Sequence, residues 1–241
     1  TVRVWDISQG NNAVDLATEE GHSHVVKELC IIPGEKLKAL SCSYDKTAKV
    51  WDLTTGSCLA TLTGHTGNVN QCCAFPAPAD GQQIRRVLTG SGDRKIKIWD
   101  WPSETCELTL GGEQHTGEVR GCGVFDGGRK VYSCSKDSTI CVFMLAFDER
   151  TQKLLSGHLI LKLEGHTGLV DRCAVYRQGT RMISASWDKT SKVWDLEKGT
   201  ELMTLHDDNK VRGVVVYAEE KRAVTAGSGD RLKVWNLETG E

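Results

Sequence analysis

Histidine, serine and aspartate recur together along this 241-residue chain, a combination that can do nucleophilic chemistry. A histidine held between a hydroxyl and a carboxylate can take the proton from that hydroxyl and turn it into a nucleophile. Such a triad needs one hydroxyl, exposed and facing an oxyanion pocket. Here the residue types return several times, always around a tight turn: SYDKT, SGDRK, SKDST, SWDKT and SGDRL. Repetition at one structural position argues for architecture, because buried Asp and His need partners and an unpaired one costs roughly 1–3 kcal/mol. No unrepeated acid–base pair stands out, and GSGDRK does not follow the phosphate-loop pattern G-x-x-x-x-G-K-[ST]. Neither an enzyme nor a cofactor is expected.

The ten cysteines could build a zinc site or a disulfide framework, yet no C-x-x-C pair is present. Cys30, Cys72, Cys73, Cys122 and Cys173 follow a repeated histidine by seven or eight residues, and Cys42 and Cys134 precede a turn aspartate by three. Thiols at equivalent inward positions of different repeats should lie far apart. They read as small buried hydrophobes in the cytoplasm or another reducing compartment, with no metal.

The elements that position these residues are short strands. AKVWDL, KIKIWD, SKVWDL and LKVWNL alternate apolar and polar residues, the period of a pleated strand. Each follows a turn rich in Asp, Gly, Ser and Lys, and no amphipathic helix separates the strands. Trp5-Asp6, Trp51-Asp52, Trp99-Asp100, Trp194-Asp195 and the related Trp235-Asn236 mark a repeat, with Phe143 where a sixth tryptophan is due. Upstream stand Gly21-His22, Gly64-His65, Gln114-His115, Gly165-His166 and Leu205-His206. The period is close to the ~40–45 residues of a propeller repeat.

GHTGNVNQCCAF…VLTGSGDRKIKIWD and GHTGLVDRCAVY…MISASWDKTSKVWDL resemble WD40 repeats, and the resemblance covers essentially the whole chain. It implies an all-β propeller of four-stranded antiparallel blades, each repeat giving the outer strand of one blade and three strands of the next. The expected domain is 1–241, with a partial blade at 1–17 and repeats near 21–63, 64–110, 115–163, 165–205 and 206–241. The first strands and the last repeat do not complete each other, so the chain is expected to be part of a longer, seven-bladed protein.

The resemblance also implies one hydrogen-bonded network per blade: loop histidine, hydroxyl, turn aspartate and strand tryptophan. Mapped onto this sequence the sets are His22, Ser41, Asp45 and Trp51; His65, Thr89, Asp93 and Trp99; and His166, Ser184, Asp188 and Trp194. Two are incomplete. His115, Ser133 and Asp137 face Phe143, which has no indole N–H, and His206, Asp230 and Trp235 go with Ala226 in place of a hydroxyl. These blades should be fastened less tightly.

Partners of the family commonly meet the residue five after the histidine and the residue before the turn aspartate. Here these are Lys27, Asn70, Arg120, Asp171 and, allowing one inserted residue, Arg212, and Tyr44, Gly92, Lys136, Trp187 and Gly229. Tyr44 and Trp187 stand out, because turns bury large rings poorly and Trp, Tyr and Arg dominate binding hot spots. Two insertions, FPAPADGQQIRR and MLAFDERTQKLLSGHLI, are expected as loops on the opposite face.

Lys+Arg at 30 against Asp+Glu at 32 gives no basic groove for nucleic acid. No apolar run approaches the roughly 20 residues of a membrane helix, and TVRVWDISQG is no signal peptide. The expected function is a non-catalytic scaffold that binds proteins or peptides, within a larger protein or complex. The alternatives are a sensing propeller of a signalling, ciliary or coat protein, and a ubiquitin-ligase substrate receptor. The receptor is disfavoured because WDIS, WDLT, WDWP and WDLE lack the W-D-x-R such receptors often carry.

Overall fold

Alternating apolar residues bounded by Asp- and Gly-rich turns form strands throughout. A computed structural model describes residues 2–6, 11–15, 21–32, 37–76, 85–148, 150–217, 219–229 and 231–241, with main chain alone for 3–6 and 11–15. The strands are β1 (Arg3–Asp6) and β2 (Asn11–Asp15), a two-stranded antiparallel sheet. The first four-stranded sheet has β3 (Val26–Ile32), β4 (Lys38–Ser43), β5 (Ala48–Asp52) and β6 (Cys58–Leu62). The second has β7 (Val69–Ala74), β8 (Arg86–Ser91), β9 (Ile96–Asp100) and β10 (Thr105–Leu110). The third has β11 (Val119–Phe125), β12 (Lys130–Ser135), β13 (Ile140–Phe147) and β14 (Leu154–Leu163). The fourth has β15 (Val170–Tyr176), β16 (Arg181–Ser186), β17 (Thr190–Asp195) and β18 (Thr200–His206). The last, β19 (Val211–Tyr217), β20 (Arg222–Gly227) and β21 (Leu232–Asn236), has three strands. Every pairing in these sheets is antiparallel between consecutive strands, which makes them propeller blades.

The blades fall into two compact units, Thr1–Leu110 and Gly111–Glu241. In the first, β3 and β4 pack against β7, and Leu40, Val50, Leu62, Val69, Val87 and Trp99 close a core between the two sheets. In the second, β15 packs against β11 and β12 on one side and β19 on the other. Cores around Met182 and Trp194, and around Tyr176, Ile183 and Val193, fill those two junctions. Among the described residues no helix is long and apolar enough to cross a membrane.

One insertion differs from the loop expected of it. MLAFDERTQKLLSGHLI lengthens a hairpin, with β13 and β14 paired from Ile140↔Leu163 to Phe147↔Leu154. Its apolar residues can join a ladder already running beside them, so they extend strands. Gly157-His158 falls inside β14, opposite Leu145 and Met144. Of the other insertion, residues 77–84 lie outside the described residues.

The cysteines carry no disulfide, and some lie closer together than the repeat suggests. All ten are free. The thiols of Cys30 and Cys72, on neighbouring sheets, lie within hydrogen-bonding reach, with Cys42 beside Cys72; Cys134 stands likewise beside Cys173. These thiols stand at non-equivalent positions, Cys30 and Cys72 one residue out of step and Cys134 on a second strand, and they meet because the inner strands of adjacent blades pack together. Burial holds the Cys72 and Cys173 thiols well above the ordinary thiol range and pushes Cys141 up to about 12. Thiolates are the reactive form. Exposed Cys106 should therefore take up iodoacetamide from the native chain, while Cys72, Cys141 and Cys173 react only after unfolding. Mass mapping of native labelling checks this, and prompt modification of Cys141 would contradict it.

Candidate functional site

Each loop histidine precedes the innermost strand of its blade, and each hydroxyl sits on the next strand. In the first four-stranded blade the His22 Nδ1–H donates to Asp45 Oδ2 at 2.7 Å, and the Ser41 hydroxyl donates to His22 Nε2 at 2.7 Å. Burial lowers the His22 pKa despite its bond to Asp45, so the ring is neutral at pH 7 and this proton order holds. The Trp51 Nε1–H closes the chain on Ser41 Oγ at 2.8 Å. His65, Thr89, Asp93 and Trp99 repeat it at 2.8, 2.8 and 2.8 Å. His166, Ser184, Asp188 and Trp194 do so at 2.7, 2.7 and 2.8 Å.

This is the connectivity of a nucleophilic triad, with a different environment. Ser41, Thr89, Ser133 and Ser184 are each 0% exposed. For three of these four hydroxyls, Ser41, Thr89 and Ser184, an indole N–H occupies the oxygen that would have to attack. The hydroxyl is shut away from any substrate, and the bonds fasten the loop to the sheet.

Residues missed in the sequence complete the fastening. The oxygens of Ser43, Ser91, Ser135 and Ser186 accept the turn-aspartate amide at 3.1–3.2 Å. Thr47, Thr139 and Thr190 donate to the aspartate Oδ1 at 2.6, 2.7 and 2.7 Å. The repeated S-x-D-x-T of SYDKT, SKDST and SWDKT was the available signal. In two of the Trp-Asp pairs the aspartate caps the following turn: Asp52 Oδ1 accepts Thr54 N–H at 2.8 Å and Asp195 Oδ1 accepts Glu197 N–H at 2.9 Å, whereas Asp100 pairs with Arg85. Asn236 does the same for Glu238 at 2.8 Å, so Trp235-Asn236 keeps that bond with an amide.

The third and last blades vary in different ways. His115, Ser133 and Asp137 hold the same bonds at 2.8 and 2.9 Å, and Phe143, 1% exposed, fills the tryptophan slot. In the last blade the expected loss of the hydroxyl is corrected. Trp235 donates to Thr225 Oγ1 at 2.9 Å, and Thr225, not Ala226, stands where Ser41 and Ser184 stand. Gly229 then occupies the place of the turn aspartate. His206 ends β18 and pairs with Thr190, so it is no loop histidine. Asp230 lies outside the described residues, as do the side chains of Trp5 and Asp6.

Acid should loosen these blades. A histidine with lowered native pKa, as burial gives His22 and His166, binds protons better in the unfolded chain, so stability falls as pH drops below about 6.5. Burial alone would raise the Asp93 pKa, but bonds from His65 and nearby amides outweigh it and hold it at about 2. Its contribution, on the order of 2 kcal/mol, is present above about 4 and fades as pH falls toward 2. Melting scans from pH 8 to pH 3 should show a first decline below 6.5 and a steeper one below 4. A flat melting temperature from pH 7 to pH 5 would refute the histidine part.

The surface residues sit at two recurrent backbone positions. Lys27, Asn70, Arg120, Asp171 and Arg212 are each the extra residue of a β-bulge, one after the valine that starts the innermost strand. A bulge re-aims its side chain. The amides of Tyr44, Gly92, Lys136, Trp187 and Ser228 each donate to a loop carbonyl, at 3.0, 2.8, 2.9, 2.9 and 3.0 Å. The last blade thus places Ser228, not Gly229, at the turn position.

Burial separates these residues. Asn70 is 2% exposed and Asp171 7%, so neither presents a contact surface as expected. Asp171 instead accepts Trp187 Nε1–H on Oδ2 at 3.2 Å and Arg120 Nε–H on Oδ1 at 3.2 Å. Tyr44 is half-buried against His24, and Lys27 is half-buried. Lys136 is exposed, 3.9 Å from Glu118. Lys210 Nζ and the Arg212 guanidinium lie 4.6 and 5.3 Å from the centre of the Trp187 ring. Lys210 was not among the residues read from the sequence. Among the described residues no group of three or more His, Cys, Asp or Glu is arranged to hold a metal ion.

The family model described as WD domain, G-beta repeat matches residues 14–52, 56–100, 104–143 and 157–195. Nuclear distribution protein PAC1 of Komagataella phaffii is 28% identical over 236 residues, covering 81% of this chain and 45% of that protein. Nuclear distribution protein nudF 1 of Talaromyces marneffei is 29% identical, covering 86% and 46%. A PAC1 protein of Arthroderma otae is 28% identical, covering 98% and 45%. The chain spans about half the length of these curated relatives.

Proposed function

The chain belongs to the WD domain, G-beta repeat family, and from that premise we propose that it is a non-catalytic scaffold holding other proteins on its turn-and-bulge surface. One observation carries this reading: the hydroxyls repeated in the networks are buried, while the turn positions beside them differ from blade to blade and are half-buried or exposed. The hydroxyls of the first four networks are closed off, while the equivalent turn positions hold Tyr44, Gly92, Lys136, Trp187 and Ser228. Blade-to-blade variation at a fixed backbone position is how a repeat protein builds a specific surface. Within the second unit the working residues are Trp187, Arg120, Lys136, Lys210 and Arg212; within the first they are Tyr44 and Lys27. Ten free thiols favour a reducing compartment such as the cytoplasm. We place the chain in a larger, seven-bladed protein or complex, with proteins or peptides rather than nucleic acid as partners.

Affinity capture by the parent chain, Trp187→Ala and Tyr44→Ala, with mass spectrometry, tests it. Each variant should keep its β-sheet circular dichroism, while affinity for a captured partner falls about tenfold or more. Unchanged affinity in both variants would reject the surface.

A further inference from the structure

The second unit carries cations that no described carboxylate compensates. Arg120 and the Trp187 indole share one carboxylate, Asp171. Arg172 Nη1–H donates to the main-chain carbonyls of Arg120 and Asp171 at 2.8 and 3.0 Å, which ties together the two strands that carry this pair. Lys210 and Arg212, both exposed, lie over the indole, and no described carboxylate is within ion-pair distance of either. The nearest acids in sequence, Asp207 and Asp208, face Lys233 at 3.6 and 3.2 Å.

An indole under a cation holds it in place without neutralising it, a contact worth about 0.5–2 kcal/mol. Two cations are thereby ordered and pointed at solvent, with part of the entropy cost of fixing long side chains already met before a ligand arrives. A guanidinium takes a carboxylate through two parallel N–H bonds, and an ammonium adds a point charge beside it. Two such groups match a short cluster of carboxylates. They fall short of the basic track a polynucleotide needs, and the chain as a whole is balanced at 30 against 32 charges.

We propose that Lys210 and Arg212, held over Trp187, form a docking site for an acidic, Asp/Glu-containing segment of a partner protein. The proposal rests on the scaffold reading above and names the chemistry of its partner. The roles divide by burial. Asp171 and Arg172 position the indole, Trp187 orders the cations, and Lys210 and Arg212 touch the partner.

Fluorescence anisotropy on the full chain with fluorescein-labelled hexaglutamate tests this, against neutral Gly-Ser, hexalysine and phosphoserine peptides of equal length. Hexaglutamate should bind above the Gly-Ser control and weaken steeply with added salt. Lys210→Ala/Arg212→Ala should bind it about tenfold more weakly while melting only a few degrees below the parent, since exposed cation–indole contacts sit at the low end of their range. Hexaglutamate no better than Gly-Ser, an undiminished double variant, or a phosphoserine peptide bound more than about tenfold tighter would each overturn it. The two levels fail separately. A partner lost from Trp187→Ala while hexaglutamate is ignored removes only the acidic class, whereas a partner kept by both Trp187→Ala and Tyr44→Ala removes the surface itself.

Discussion

Asp188→Ala is expected to melt about 6–12 °C below the parent, a loss that Asp137→Ala, with the same four donors and a more buried histidine, should at least match. Four donors converge on that carboxylate: His166 Nδ1–H at 2.7 Å, Thr167 N–H at 3.0 Å, Thr190 N–H at 2.9 Å and Thr190 Oγ–H at 2.7 Å. His166 is 7% exposed, so its N–H finds no ready replacement in water. Stranding a buried donor and freeing a turn costs about 3 kcal/mol. For a chain of this size each kcal/mol is worth roughly 2–4 °C. The loss should be larger than that of Asp45→Ala, because the His22 loop is more open than the His166 loop. Differential scanning fluorimetry gives the answer. Parental melting combined with loss of an activity would mean that Asp188 works at a surface and not in the fold.

Gly165→Gln should cost about 2–3 kcal/mol alone and measurably less beside Trp194→Phe. Gly165 has φ +149°, and a Cβ there would lie 3.3 Å from Trp194 Cη2 and 3.3 Å from Glu201 Oε2. Gly64 repeats the arrangement at φ +134°, 3.5 Å from Trp99 Cη2. The third blade has already made the exchange: Gln114 replaces glycine where Phe143, a shorter ring, replaces tryptophan. Its loop carries the left-handed turn at Gly111 instead, with φ +98° and a His115 N–H to Gly111 carbonyl bond of 2.9 Å. Removing the outer ring of Trp194 should relieve the collision but not the backbone strain, leaving a coupling of about 1 kcal/mol. Urea unfolding of the two single variants and the double variant measures it. Additivity within about 0.5 kcal/mol would show that the glycine answers to its backbone alone.

Much of this molecule was legible because each blade repeats one physical solution. The alternation in AKVWDL and SKVWDL, and the Asp-containing turns before them, suffice for strands and hairpins, since both depend on neighbours in the chain. The recurrence of His, Ser and Asp marked them as framework before any distance was known. Where register between strands decided the outcome, counting along the chain misled. Measured back from its aspartate, the last blade offers Ala226. Measured across the ladder it offers Thr225, because its turn has shifted by one residue while the strand pairing has not. The insertion after Met144 failed for a related reason, its apolar residues joining a ladder the sequence alone could not show to be within reach.

The sequence by itself therefore determined the all-β class, the blades, the buried network and the family, all properties written in local period and repeated spacing. Tertiary structure alone decided which surface residues are available. Asn70 and Asp171 occupy the same bulge as Lys27, Arg120 and Arg212, yet they are buried, because exposure depends on how neighbouring strands and loops close over a position. It also brought Lys210 over Trp187, since side chains on a turn and on the following blade meet only when two sheets pack face to face. It set Cys30 beside Cys72 and Cys134 beside Cys173 by the same packing. These contacts across blades join residues 23 to 42 positions apart, and no period within one repeat encodes how close they come.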